Sequence, residues 1–343
     1  MCLSVVCVQA QPRNAAALQW QRVELGAAGS RYPFGIYSNR SWLGDMSSVS
    51  TVVFVFHGVG RNGDDYFAAA EKLLRASGKS NDEILLIAPN FFSRADASKH
   101  VIEGMPLWRG GKGWSGGWDA ANWPWPLSSF EPVDDMLTVL LDKTRFPGLQ
   151  QITIAGHSGG GQVVHRYAVL NNMDEKVRAA GKRINYIIAN PSSYLYFTGE
   201  RPAGNGFALF NGQNCPGFDE YRYGMQQMVR YAGNANSETL FRRYAGRDVT
   251  YLLGTADNDP NHRSIDKSCM AKAGGASRLE RGRNYIRYER HLAKTELILN
   301  RQAYEVIDVG HDHARMFGSK CGARLLFGLA EEGNATGAAC RAR

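Results

Sequence analysis

The chain has 343 residues, 44% of them hydrophobic and 21% charged, with 38 glycines and 12 prolines. This composition excludes collagen, coiled coil and wholesale disorder, and it leaves enough apolar side chain for a large buried core. The net charge of +8 favours solubility and contact with anionic surfaces but does not define a nucleic-acid domain, and no apolar stretch approaches the ~20 residues that span a bilayer.

The N-terminal stretch MCLSVVCVQA is uncharged and ends in Val8-Gln9-Ala10, a small-x-small cleavage pattern. It lacks a basic n-region and its apolar run is short. A residual signal peptide is expected over 1–10, followed by one domain over 11–343. Eight short β-rich runs follow in chain order: Gln21–Leu25, Phe34–Ser38, Thr51–Phe56, Glu83–Ala88, Gln151–Ala155, Asn185–Ala189, Val249–Leu253 and Tyr304–Val309. Several are continuously apolar (VVFVF, ILLIA), the pattern of parallel strands covered on both faces. Between them lie helical patterns at Asp64–Ala76, Val133–Lys143, Gly160–Asn171, Ala276–Lys294 and His313–Leu329. Such alternation predicts an α/β fold, a mostly parallel sheet with helices on both sides. The basic run RLERGRNYIRYERHLAK, Arg278 to Lys294, reads as the solvated face of a helix.

Two long segments interrupt the alternation, and loops of such length tend to carry function. Within 94–131, five of the seven tryptophans (Trp108, Trp114, Trp118, Trp123 and Trp125) interleave with glycines. They read either as an aromatic platform for substrate or as a mini-core over the sheet edge. Trp108, Trp114 and Trp118 are the candidate substrate contacts, with Tyr194 at the start of the second segment, 194–248. Tyr196, Tyr221 and Tyr223 in that segment are further pocket candidates, although tyrosines at this density usually pack a lid.

If Cys2 and Cys7 leave with the leader, Cys215, Cys269, Cys321 and Cys340 remain, which allows three pairings. Proximity in sequence favours Cys215–Cys269 and Cys321–Cys340. Disulfides imply an oxidising location, so a secreted or periplasmic protein is expected. No cysteine has metal-site spacing, and no metal is expected.

The strongest chemical signal is Gly156-His157-Ser158-Gly159-Gly160, between the apolar run QITIA and the amphipathic run GQVVHRYAVL. This is G-x-S-x-G in the strand–turn–helix setting in which a nucleophilic serine projects above a sheet. Its glycines relieve clashes at a sharp turn, and the following helix N-terminus supplies partial positive charge where an oxyanion would form.

On this motif the sequence resembles the α/β-hydrolase family, over about Gln19 to Leu329. Three further marks carry the resemblance. His57-Gly58-Val59-Gly60 follows the third strand, where the family places one oxyanion-hole amide; the implied donors are Val59 and Gly159, with Gly60 as the alternative to Val59. His57 is read as structural. Gly254-Thr255-Ala256-Asp257 follows the seventh strand and implies Asp257 as the triad acid, with Asp259 as the alternative. Gly310-His311 follows the eighth strand and implies His311 as the base, with His313 as the alternative. The order Ser158, Asp257, His311 is the family's chain order. The resemblance implies an eight-stranded sheet, a lid in 194–248 after the sixth strand, and a secreted serine hydrolase of small or polymeric carboxylic esters, with no cofactor. A looser likeness is to feruloyl esterases and polyhydroxyalkanoate depolymerases. An amide or peptide hydrolase with the same triad, or a binding module without activity, are the alternatives.

Overall fold

The computed structural model describes residues 20–97, 102–109, 113–294, 296–329 and 337–343. The expected leader, with Cys2 and Cys7, lies outside the described residues.

All eight expected strands form: β1 (Trp20–Leu25), β2 (Tyr32–Ser38), β3 (Thr51–Phe56), β4 (Ile84–Asn90), β5 (Gln151–His157), β6 (Arg183–Ala189), β9 (Asp248–Gly254) and β10 (Arg301–Val306). A hairpin, β7 (Glu200–Ala203) and β8 (Gly206–Leu209), stands apart from the main sheet. Among the described residues that sheet has nine strands rather than eight, because β11 (Cys340–Ala342) adds to its edge. The order is β1-β2-β4-β3-β5-β6-β9-β10-β11. From β4 to β10 all neighbours are parallel; β1, β2 and β11 pair antiparallel. No apolar run announces β11. Its tether is the Cys321–Cys340 disulfide, and Arg341 and Arg343 bond the buried Glu305 carboxylate.

The helices are α1 (Gly63–Ala76), α2 (Glu131–Leu140), α3 (Gly159–Leu170), α4 (Met173–Ala179), α5 (Ser237–Ala245), α6 (Cys269–Lys272), α7 (Arg278–Ala293), α8 (His313–Phe317) and α9 (Lys320–Phe327). The single helix expected over His313–Leu329 is thus two. Gly318 ends the first, and Ser319 caps the second by accepting from the Gly322 amide.

β3 shows why the sheet is covered twice. Val52, Phe54 and Phe56 enter the core beneath α2, α3 and α7, whereas Val53 and Val55 enter the opposite core beneath α1, α8 and α9. Alternate side chains leave a strand on opposite faces, so an unbroken apolar run fills both layers. The reading of α7 as a solvated face holds for one side of the helix and fails for the other. Arg278, Arg281 and Glu289 are buried, at 0%, 1% and 1% exposure, together with Tyr285 and Tyr288. These three charges are partnered inside the protein, while Glu280, Arg290 and His291 on the same helix face solvent.

The segment 194–248 opens on buried Tyr194–Phe197 and contains the β7–β8 hairpin and α5. A Cys215–Cys269 disulfide staples it to the segment just past β9. Among the described residues no helix is long and apolar enough to cross a membrane.

Candidate active site

β5 delivers the elbow. Its last residue is His157, and Ser158 follows at φ 60°, ψ −119°, an unfavourable conformation for a residue with a side chain. Neighbouring glycines make this turn possible: a Cβ on Gly156 would fall 2.3 Å from the Gly160 carbonyl oxygen. Helix α3 then begins at Gly159, directed at the serine with its first amides unsatisfied by helix carbonyls.

The three expected triad side chains meet above the carboxyl ends of β5, β9 and β10. His311 Nε2 lies 2.8 Å from Ser158 Oγ, and His311 Nδ1 lies 2.7 Å from Asp257 Oδ2. An ionised carboxylate accepts only, so Nδ1 carries the proton and Nε2 faces the serine hydroxyl as an acceptor. Ser158 and Asp257 are 4% and 3% exposed. Burial pushes the Asp257 carboxyl up, but the His311 hydrogen bond, the His311 charge and the Arg278 guanidinium outweigh it and hold the group below the ordinary carboxylate value. Burial lowers the His311 imidazole; the hydrogen bond to Asp257 opposes this, and Arg278 adds to the lowering.

The alternatives occupy other positions. Asp259 Oδ1 accepts from the Asn261 amide in a turn. His313 is the first residue of α8 and stacks on Tyr66 at 3.9 Å, outside the hydrogen-bonded line.

The loop after β3 crosses beside the elbow, and a Cβ on Gly159 would lie 3.0 Å from the Val59 amide nitrogen. The Val59 backbone therefore packs directly against Gly159, the residue after Ser158. His57 holds this loop: its Nδ1–H donates to the Gly58 carbonyl at 2.9 Å, and its Nε2 accepts from the Phe91 amide at 3.1 Å. Complete burial lowers its pKa to about 4, so the ring is neutral and supports the loop. Arg61, at φ 54°, binds Asp96, and Asn62 bonds Asp65 rather than the helix backbone.

A cavity of about 610 Å³ opens over Ser158, with Val59, Tyr66, His262, Arg263 and Ile265 among its walls. Segment 262–265, just past the acid, forms the far wall, and no residue of 194–248 lines it among those described.

The aromatic expectations divide. Trp114 is fully buried, 4.4 Å from the His57 ring and stacked on Phe91 at 5.5 Å. Trp108 is 2% exposed and its indole N–H donates to the Trp118 carbonyl at 3.0 Å. Tyr194 is 2% exposed and stacks on Tyr285 at 4.5 Å. These rings belong to the core, and none lines the cavity over Ser158, although Trp108 borders a separate cavity of about 600 Å³ beside Arg61 and Arg109. Tyr196, Tyr221 and Tyr223 are likewise buried. Trp118, 36% exposed, keeps an open face in a second cavity of about 570 Å³ beside Arg109 and Arg222. Sequence reasoning did not single out Arg278, whose guanidinium meets Asp257 Oδ1 at 3.0 Å, nor the Tyr66 hydroxyl, 3.1 Å from His157 Nδ1. No spacing rule marks either one. Among the described residues no three potential ligands gather as a metal site.

No protein-family model and no curated protein sequence matches the chain. Among solved structures, poly(aspartic acid) hydrolase-1 from Sphingomonas sp. KT-1 superposes with a TM-score of 0.62 at 22% identity, covering 90% of this chain and 98% of that one. LpqC, a poly(3-hydroxybutyrate) depolymerase from Bordetella parapertussis, superposes with a TM-score of 0.61 at 22% identity, covering 92% of each chain. These likenesses establish the fold: the chain has the α/β-hydrolase fold.

Proposed function

We propose that the protein is a serine hydrolase that cleaves carboxylic esters through an acyl-enzyme. The observation that carries this reading is the unbroken line Ser158 Oγ, His311 Nε2, His311 Nδ1, Asp257 Oδ2, at 2.8 and 2.7 Å. His311 Nε2 takes the serine proton as Oγ bonds to the acyl carbon, and Asp257 steadies the resulting imidazolium. Negative charge that develops on the carbonyl oxygen meets the Val59 and Gly159 amides; one such donor is worth about 10²–10³-fold in rate. The oxyanion collapses, the C–O bond to the alcohol breaks, and His311 returns the proton to the departing alkoxide. Water repeats the sequence and frees the acid.

The solvent-facing ring of Trp118 and the open cavity over Ser158 suit an extended substrate better than a small enclosed one. Arg263 on the cavity wall and the +8 charge add attraction for acidic chains. Both disulfides are compatible with a secreted or periplasmic location. One structural neighbour is named for a polyester and the other for a poly(aspartic acid), so amide cleavage by the same triad is the second reading. Matched p-nitrophenyl esters and anilides separate the two. The ester reading expects kcat/KM at least about 10³-fold higher on the ester, and comparable values would favour amide hydrolysis.

A further inference from the structure

The geometry points to Arg278 as a positioning residue of the hydrolytic site: a fixed, buried cation that occupies one oxygen of Asp257 so that the other is presented to His311. This inference rests on the hydrolase reading above.

Arg278 is fully buried, and all three guanidinium nitrogens are engaged. Nη1 donates to Asp257 Oδ1 at 3.0 Å, Nε to Ser192 Oγ at 2.9 Å, and Nη2 to Ser264 Oγ at 2.9 Å, with His262 Nδ1 at 3.4 Å. Asp257 is the carboxylate it contacts; the other partners are neutral. A buried ion pair gives up much of its attraction to desolvation, so stability alone is a poor account of its presence. Position gives a better one. Arg278 is the first residue of α7, and the next amide, Leu279 N–H, donates to the Asp257 carbonyl at 3.1 Å. One helix start therefore grips both the backbone and the side chain of the acid. Because Ser264 and His262 also line the cavity over Ser158, the guanidinium ties the acid to the substrate wall.

The arrangement has a charge signature at His311. Facing that ring are Asp257 and His262 from the segment past β9, at 5.1 Å ring to ring for His262, and His157 from β5, at 4.5 Å. Arg278 of α7 stands behind Asp257, Asp312 and His313 share the His311 loop, and Tyr66 of α1 lies against His313 and His157. Burial keeps His157 neutral. Asp257 favours protonation of His311 and Arg278 opposes it. Removing the guanidinium charge makes His311 more basic, so activity is lost at higher pH on the acid side.

The test compares pH profiles of kcat/KM on a neutral p-nitrophenyl ester for the unmodified protein, Arg278→Met and Arg278→Lys, each normalised by fluorophosphonate titration of active sites. Arg278→Met is expected to lower kcat about 10- to 100-fold with little change in KM, and to move the acid-side midpoint up by about one pH unit. Arg278→Lys should bring the midpoint back while recovering part of kcat. A midpoint unchanged in Arg278→Met, or moved equally by both variants, overturns the inference. Should Arg278→Met fail to fold, Arg278→Gln, which also removes the charge, is read in the same way: an acid-side midpoint moved up is expected, and an unmoved one overturns the inference. Absence of fluorophosphonate labelling in the unmodified protein would remove the hydrolase reading itself, whereas labelling with an unmoved midpoint removes only the role of Arg278.

Discussion

Gly160 lies against the end of β3: a Cβ at this position would stand 2.1 Å from the Phe56 carbonyl oxygen. That contact sets how closely the elbow approaches the oxyanion loop, because backbone can yield only by moving both. Gly160→Ala is expected to lower stability by about 2–4 kcal/mol and to lose most activity. Gly206→Ala, where nothing lies within 4 Å, should leave both unchanged. Thermal melts of the two variants side by side check this, and equal melting temperatures would show that the elbow relaxes freely.

The tryptophans should separate by role. Trp114 is buried against His57 and Phe91, so Trp114→Ala is expected to cost about 3–5 kcal/mol. Trp118→Ala should cost less than about 1 kcal/mol yet raise KM for long or aromatic esters while sparing short acyl esters. Chemical denaturation paired with kinetics on both substrate lengths reads the difference.

Asp134 gives the fold a pH dependence away from the site. Burial pushes its pKa up to about 7, against the pull of hydrogen bonds from the Tyr167 and Tyr231 hydroxyls. The folded state therefore holds a proton that the unfolded chain releases near pH 4. This contribution to stability is full below about pH 4 and is lost as pH rises through about 7. Asp134→Asn, which keeps an acceptor oxygen for both tyrosines, should melt at the same temperature as the parent at pH 4 and higher at pH 8. Parallel melting curves across that range would count against a raised pKa.

The disulfides close loops of 54 and 19 residues, which the chain-entropy relation translates to about 4 and about 3 kcal/mol. Cys215→Ser with Cys269→Ser should cost the larger amount and loosen the 194–248 segment, detected as faster amide exchange there. Loss of stability without faster exchange in that segment would mean that the staple acts elsewhere.

Much of this was legible in the residues because backbone physics leaves a pattern. Runs such as VVFVF mark doubly covered strands, and glycines on both sides of a serine mark the turn between β5 and α3. Proximity in sequence favoured, among three possible pairings, the two that form. Less legible was anything decided by what lies across the molecule. The run RLERGRNYIRYERHLAK looks solvated, because nothing within it shows that Asp257 and Ser192 wait for Arg278. The tryptophans of 94–131 look like a platform until His57 and Phe91 are found to occupy the space beside them. β11 left no signal, since its pairing depends on Glu305 and a disulfide instead of its own side chains.

The most direct measurement is intact-protein and peptide mass spectrometry after treatment with a fluorophosphonate, alongside turnover of an activated ester. The unmodified protein should gain one adduct, on Ser158, with loss of turnover in step, and Ser158→Ala should gain none, with turnover down at least about 10⁴-fold. An unlabelled Ser158 in the unmodified protein, or a Ser158→Ala variant that still hydrolyses the ester at the parent rate, would contradict the assignment of Ser158 as the nucleophile.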